Sequence, residues 1–72
     1  IYYKQDNTPL AIREFRHSIA KNPQNPSYHY HLGLTYLKAG EKEHAKQSLQ
    51  EALRLNPSFP EAADARSRLN GL

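Results

Sequence analysis

The chain of 72 residues contains no cysteine, no tryptophan and no methionine, and only three glycines. Without cysteine there is neither a disulfide framework nor a thiolate metal site. No run approaches the ~20 apolar residues a membrane-spanning helix needs, and no charged-then-apolar leader opens the chain, so membrane insertion is not expected of it. Three glycines cannot form a phosphate-cradling loop, and no Ser, His and Asp stand in a recognisable constellation. No enzyme activity and no cofactor are therefore expected.

One-sided charge is also lacking. Ten Lys and Arg against seven Asp and Glu give a formal charge of +3 and a pI near 9.4. The cations Arg13, Arg16, Lys21, Lys42, Lys46, Arg54, Arg66 and Arg68 are nevertheless interleaved with Glu14, Glu41, Glu43, Glu51, Glu61 and Asp64. That is the pattern of a solvated helix surface, and no nucleic-acid partner is expected from it. Four histidines do not make a metal site either. His29 and His31 are two residues apart and point in different directions on a helix, whereas a helical ligand pair needs a spacing of three or four. His17 and His44 sit among charged neighbours.

What the chain does have is helical periodicity broken at regular places. Within Pro26–Ala39, Leu32, Gly33 and Tyr36 share one helix face, and Gly33 leaves the middle of that face open to close approach by another helix. Gly40 supplies a permissive helix end. Glu41–Leu55 then carries Ala45, Leu49, Ala52 and Leu53 on an amphipathic face, with Ala45 small enough to sit opposite the Tyr36 ring. So short a loop forces the two helices to fold back antiparallel.

The segment His29-x-x-Leu32-Gly33-x-x-Tyr36, followed by Ala45-x-x-x-Leu49 and Pro57, resembles the tetratricopeptide repeat family, whose unit is a helix-turn-helix of 34 residues. His29 replaces the family's usual Trp, and Leu49 its usual Phe. Shifting the chain by 34 residues places Tyr2 on Tyr36, Lys4 on Lys38, Ala11 on Ala45, Phe15 on Leu49, Asn22 on Asn56, Pro23 on Pro57 and Pro26 on Pro60. Stacked repeats bury the same face again and again, so these are the matches they require. The resemblance implies an all-α fold of antiparallel helix pairs stacked as a short right-handed superhelical solenoid.

Five helices are expected. Ile1–Gln5 reads as the end of a first helix. Thr8 then caps, and Pro9 opens, a second helix to Lys21 that buries Leu10, Ala11, Phe15, Ser18 and Ile19. Asn22-Pro23-Gln24-Asn25-Pro26 makes a sharp reversal in which Asn25 caps the third helix. The same punctuation returns at Asn56-Pro57-Ser58-Phe59-Pro60, where Ser58 and Glu61 have capping-box spacing and a last helix should run from Pro60 to Asn70. In that helix Arg66, Ser67 and Asn70 take the places of Leu32, Gly33 and Tyr36, as suits an end that faces water, while Ala62, Ala65 and Leu69 pack inward. Residues 1–25 thus read as a partial repeat, 26–59 as a complete one and 60–72 as a C-terminal cap. The chain lacks an initiator methionine and opens inside a repeat, so it is expected to be a fragment of a longer repeat protein. The uncovered apolar residues of its second helix should then promote weak self-association.

In the family the first helix of each repeat lines a concave groove. Ser27, Tyr30, Leu34 and Leu37, with Lys38 beside them, fall on that face, and Tyr3 and Lys4 hold the places of Leu37 and Lys38 one repeat earlier. These seven residues are the expected partner-binding set. Tyr2, Tyr28 and Tyr36 are expected to pack in the fold instead. Family members that clamp the terminal carboxylate of chaperone tails use Lys and Asn where this chain has Tyr30 and Leu34. An apolar or aromatic peptide, or an amphipathic helix, suits these side chains better. The alternative is that the segment only caps a larger solenoid.

Overall fold

A computed structural model describes residues 8–72 and contains four α-helices among them: α1 (Thr8–Lys21), α2 (Pro26–Lys38), α3 (Lys42–Leu55) and α4 (Ala62–Asn70). The helix expected at Ile1–Gln5 lies outside the described residues. Among those described, α2 packs against α3, α1 against α2 and α4 against α3, so consecutive helices are spatial neighbours.

The turns carry out what their residues dictate. Asn25 has an extended backbone and its side-chain oxygen accepts from the N–H groups of Ser27 at 2.9 Å and Tyr28 at 3.3 Å, with Pro26 at the first helical position. At the other end of α2 the Glu41 N–H reaches back to the Tyr36 carbonyl at 2.9 Å, and Gly40 takes φ +79° to allow it. A residue with a β-carbon would be strained there. Thr8 is itself helical, one residue earlier than its expected capping role.

The last turn departs from expectation. The Ser58–Glu61 capping box does not form and α4 begins at Ala62, two residues late. Asn56 is the reason: its side-chain oxygen takes the Ser58 N–H at 2.9 Å, and its carbonyl takes the Phe59 N–H at 3.3 Å. This extended turn drops the Phe59 ring into the core, where only 3% of it remains accessible.

The core is built from Tyr30, Leu49, Ala52, Phe59, Ala62 and Ala65, with Leu34, Leu53 and Leu69 packed around it. Leu49 is wholly buried at its centre. Side chains of that size contribute about 1.5–3 kcal/mol each on burial. Gly33 lies directly against this residue: a β-carbon placed on it would come within 2.9 Å of Leu49 Cγ and 3.3 Å of the Ala45 carbonyl oxygen. The close approach of α2 and α3 that the sequence implies is therefore present. The Tyr36 ring stacks over His44, centroids 5.0 Å apart, and His44 in turn pairs with Glu41 at 3.2 Å. His29, in the place of the usual Trp, is tied by Nε2 to the Pro23 carbonyl at 3.1 Å, which links α2 to the turn before it.

Candidate functional site

The candidate surface is the side of α2 turned away from the buried Leu32 and from Gly33, which lies against α3. Leu34 and Leu37 are half-buried there and Lys38 is exposed. Leu34 leans on the core with one side and leaves the other open. Ser27 is half-buried, its hydroxyl donating to Glu61 Oε1 at 3.5 Å. Tyr3 and Lys4 lie outside the described residues.

Tyr30 does not stand where the spacing put it. Expected on the open face, it is 7% accessible and belongs to the core. Its ring meets Phe59 edge-on at 5.9 Å and His31 edge-on at 5.2 Å. The physical reason is α4, whose approach covers the first turns of the face of α2 that an isolated helix pair would leave free. The Tyr30 hydroxyl donates to Asp64 Oδ2, to which Arg68 Nε also donates at 2.7 Å. The bond to Asp64, reinforced by burial, raises the pKa of the Tyr30 hydroxyl. The same bond, together with that from Arg68, holds the Asp64 carboxyl below its ordinary value.

These contacts have a common register. Ser27 to Glu61 and Tyr30 to Asp64 each span 34 residues, one repeat length, so equivalent positions of successive repeats touch side by side. Asp64 and Arg68 therefore extend the Tyr30–Leu34 stripe onto α4. Neither was in the expected set, although the 34-residue shift that identified Arg66 and Ser67 would also have placed them.

The arrangement is a set of side chains on neighbouring helices. Among the described residues no group of three or more His, Asp or Glu could hold a metal ion, and none of the described helices is long and apolar enough to cross a membrane. What it offers is an all-α surface made by repeated helix pairs: the class is that of helical repeat proteins. The comparisons narrow it. A family model described as TPR repeat matches residues 1–40, and one described as tetratricopeptide repeat matches residues 26–59. The chain belongs to the tetratricopeptide repeat family, whose repeats serve protein–protein interaction. It is similar to the general transcriptional corepressor ssn6 of Schizosaccharomyces pombe, 32% identical over 81% of the chain. It is also similar to a Petunia hybrida protein described as the probable UDP-N-acetylglucosamine–peptide N-acetylglucosaminyltransferase SPINDLY, 36% identical over 76% of the chain. The matched segments are 5% and 6% of those proteins. No solved structure gives a significant match.

Proposed function

We propose that the chain is a non-enzymatic recognition module that holds a segment of a partner protein along the free face of α2. The observation that supports this is the partial exposure of Leu34 and Leu37 beside the exposed Lys38. Apolar side chains rimmed by charge suit an apolar peptide or an amphipathic helix with acidic flanks. Tyr30 forms the floor beneath that ligand, Ser27 borders it, and by the 34-residue sequence register Tyr3 and Lys4 correspond to Leu37 and Lys38. Binding and melting measured together test the reading. Leu37→Ala should weaken partner capture by at least about 1 kcal/mol with little change in melting, and Lys38→Ala should act mainly on the salt dependence of association. Unchanged capture by both variants would remove the site.

The other reading, a structural end-piece, draws on α4. Arg66, Ser67 and Asn70 are exposed at the places where α2 presents Leu32, Gly33 and Tyr36 to its neighbour, and Arg66 donates to the Pro57 carbonyl at 2.7 Å. A polar outer helix closes a stack against water. Residues 60–72 would then be the cap of the complete repeat 26–59, with 1–25 a partial repeat. Both roles fit in one chain, because cap and groove use different faces.

A further inference from the structure

We propose that Asp64 and Arg68 form a carboxamide-reading site at the C-terminal end of the recognition face, selecting a ligand segment with a Gln or Asn side chain flanked by apolar residues. The inference rests on the recognition reading above and specifies what that face prefers.

Tyr30 and Arg68 Nε both donate to the same oxygen, Asp64 Oδ2. Asp64 Oδ1 is left as an acceptor, and Arg68, whose guanidinium also lies beside the Tyr30 hydroxyl, has N–H donors to spare. Both side chains are open to solvent, 44% for Asp64 and 45% for Arg68. A primary carboxamide presents a carbonyl and an NH2 group side by side, which match the guanidinium and the free carboxylate oxygen together. A ligand carboxylate gains the guanidinium but meets the charge of Asp64, and an ammonium meets the reverse conflict. The pair has no net charge with which to favour either ion.

Pre-organisation strengthens the match. Tyr30 is buried and its hydroxyl holds Oδ2, so Asp64 cannot swing out toward a ligand or release Arg68 at little cost. Repeat register puts Asp64 at the place of Tyr30 and Arg68 at the place of Leu34, hence on the stripe that carries Leu34 and Leu37. An apolar segment lying on those leucines would bring a neighbouring side chain to the pair.

Three sets of capped octapeptides test the site on the 72-residue chain. Each set carries two leucines at every spacing and a single Gln, Glu or Lys at every remaining position. The Gln set should be retained roughly three- to tenfold more strongly than the other two, the range one net hydrogen bond covers. Asp64→Asn keeps an oxygen for Tyr30 and should shift the preference to the Glu set, whereas Arg68→Gln should shift it to the Lys set, both without loss of the folded circular-dichroism signal. Equal retention of the three sets, or strongest retention of the Glu set by the parent chain, overturns the carboxamide site while leaving the recognition face standing if retention still depends on Leu34. Retention of no set, or retention unaffected by Leu34→Ala, sinks the recognition face and this inference with it.

Discussion

Helices α1 and α3 stand one repeat apart and carry the same pattern, yet they live in different surroundings. Ala45, Leu49 and Ala52 of α3 are wholly inaccessible and Ser48 is buried. Their counterparts in α1, Ala11, Phe15 and Ser18, are half-buried, and Glu14 and Leu10 are exposed, Leu10 at 46%. The difference lies in neighbours: α3 is packed by α2 on one side and α4 on the other, whereas among the described helices α1 packs extensively against α2 alone. A repeat helix is amphipathic by sequence but becomes core only when helices cover both flanks, because each repeat stabilises itself mainly through its interfaces.

The largest expected effect breaks the symmetry between equivalent residues. Leu49→Ala should cost about 2–5 kcal/mol as a cavity in a wholly buried site. Phe15→Ala removes a larger side chain but from a half-exposed place where its ring stacks on His31 at 5.9 Å, and should cost less. Denaturant unfolding of the two variants checks this; a greater loss for Phe15→Ala would mean that α1 is as well covered as α3.

Next comes the pair Gly33 and Ser67, equivalent positions on α2 and α4. Gly33→Leu should overpack the contact with Leu49 at about 1–3 kcal/mol, and Ser67→Leu, on an exposed face, should stay within about 0.5 kcal/mol. Thermal melting separates them. Equal melting temperatures would refute the assignment of α4 as an outward-facing cap.

The junction of α2 with α4 should also give a pH signature that the junction of α1 with α2 lacks. The Tyr30 hydroxyl has a raised folded pKa, so its contribution is complete below the unfolded value of about 10 and is lost as pH rises through the folded value. Asp64 has a lowered one, so its contribution is present above about 4 and is lost as pH falls through the folded value. Tyr30→Phe should flatten the alkaline arm of the stability profile, followed by chemical denaturation between pH 9 and 11, and leave the neutral fold intact. An unchanged alkaline arm would show that the hydroxyl bond to Asp64 contributes nothing.

The smallest effect concerns the half-buried apolar residues of α1. We propose that its half-covered apolar residues drive weak self-association, so Leu10→Gln should shift sedimentation at high concentration toward monomer while melting moves by no more than about 0.5 kcal/mol. Identical sedimentation of both proteins would dismiss the idea.

Much of the fold was legible because it is written in local terms. Asn25 before Pro26, Gly40 after Lys38 and the Leu32–Gly33–Tyr36 face act within one or two helical turns, and α2 and α3 appear within a residue of where these signals put them. The turn at 56–61 was not, since Asn56 takes the Ser58 N–H that a capping box would give to Glu61, delaying α4 and sending Phe59 inward. Of the expected site residues, Leu34 and Leu37 are half-buried, Leu34 against the core, and Lys38 is exposed. Tyr30 was misplaced because its burial depends on a helix that begins more than thirty residues later.

The sequence by itself determined α2 and α3, their ends at Asn25 and Gly40, the 34-residue register and the family, all of which rest on spacing along one chain. Only the tertiary structure decided which apolar face became core and which stayed open, and that Asp64 and Arg68 join Tyr30. Burial is a property of what lies across a contact, and a periodic pattern names the face without naming its neighbour.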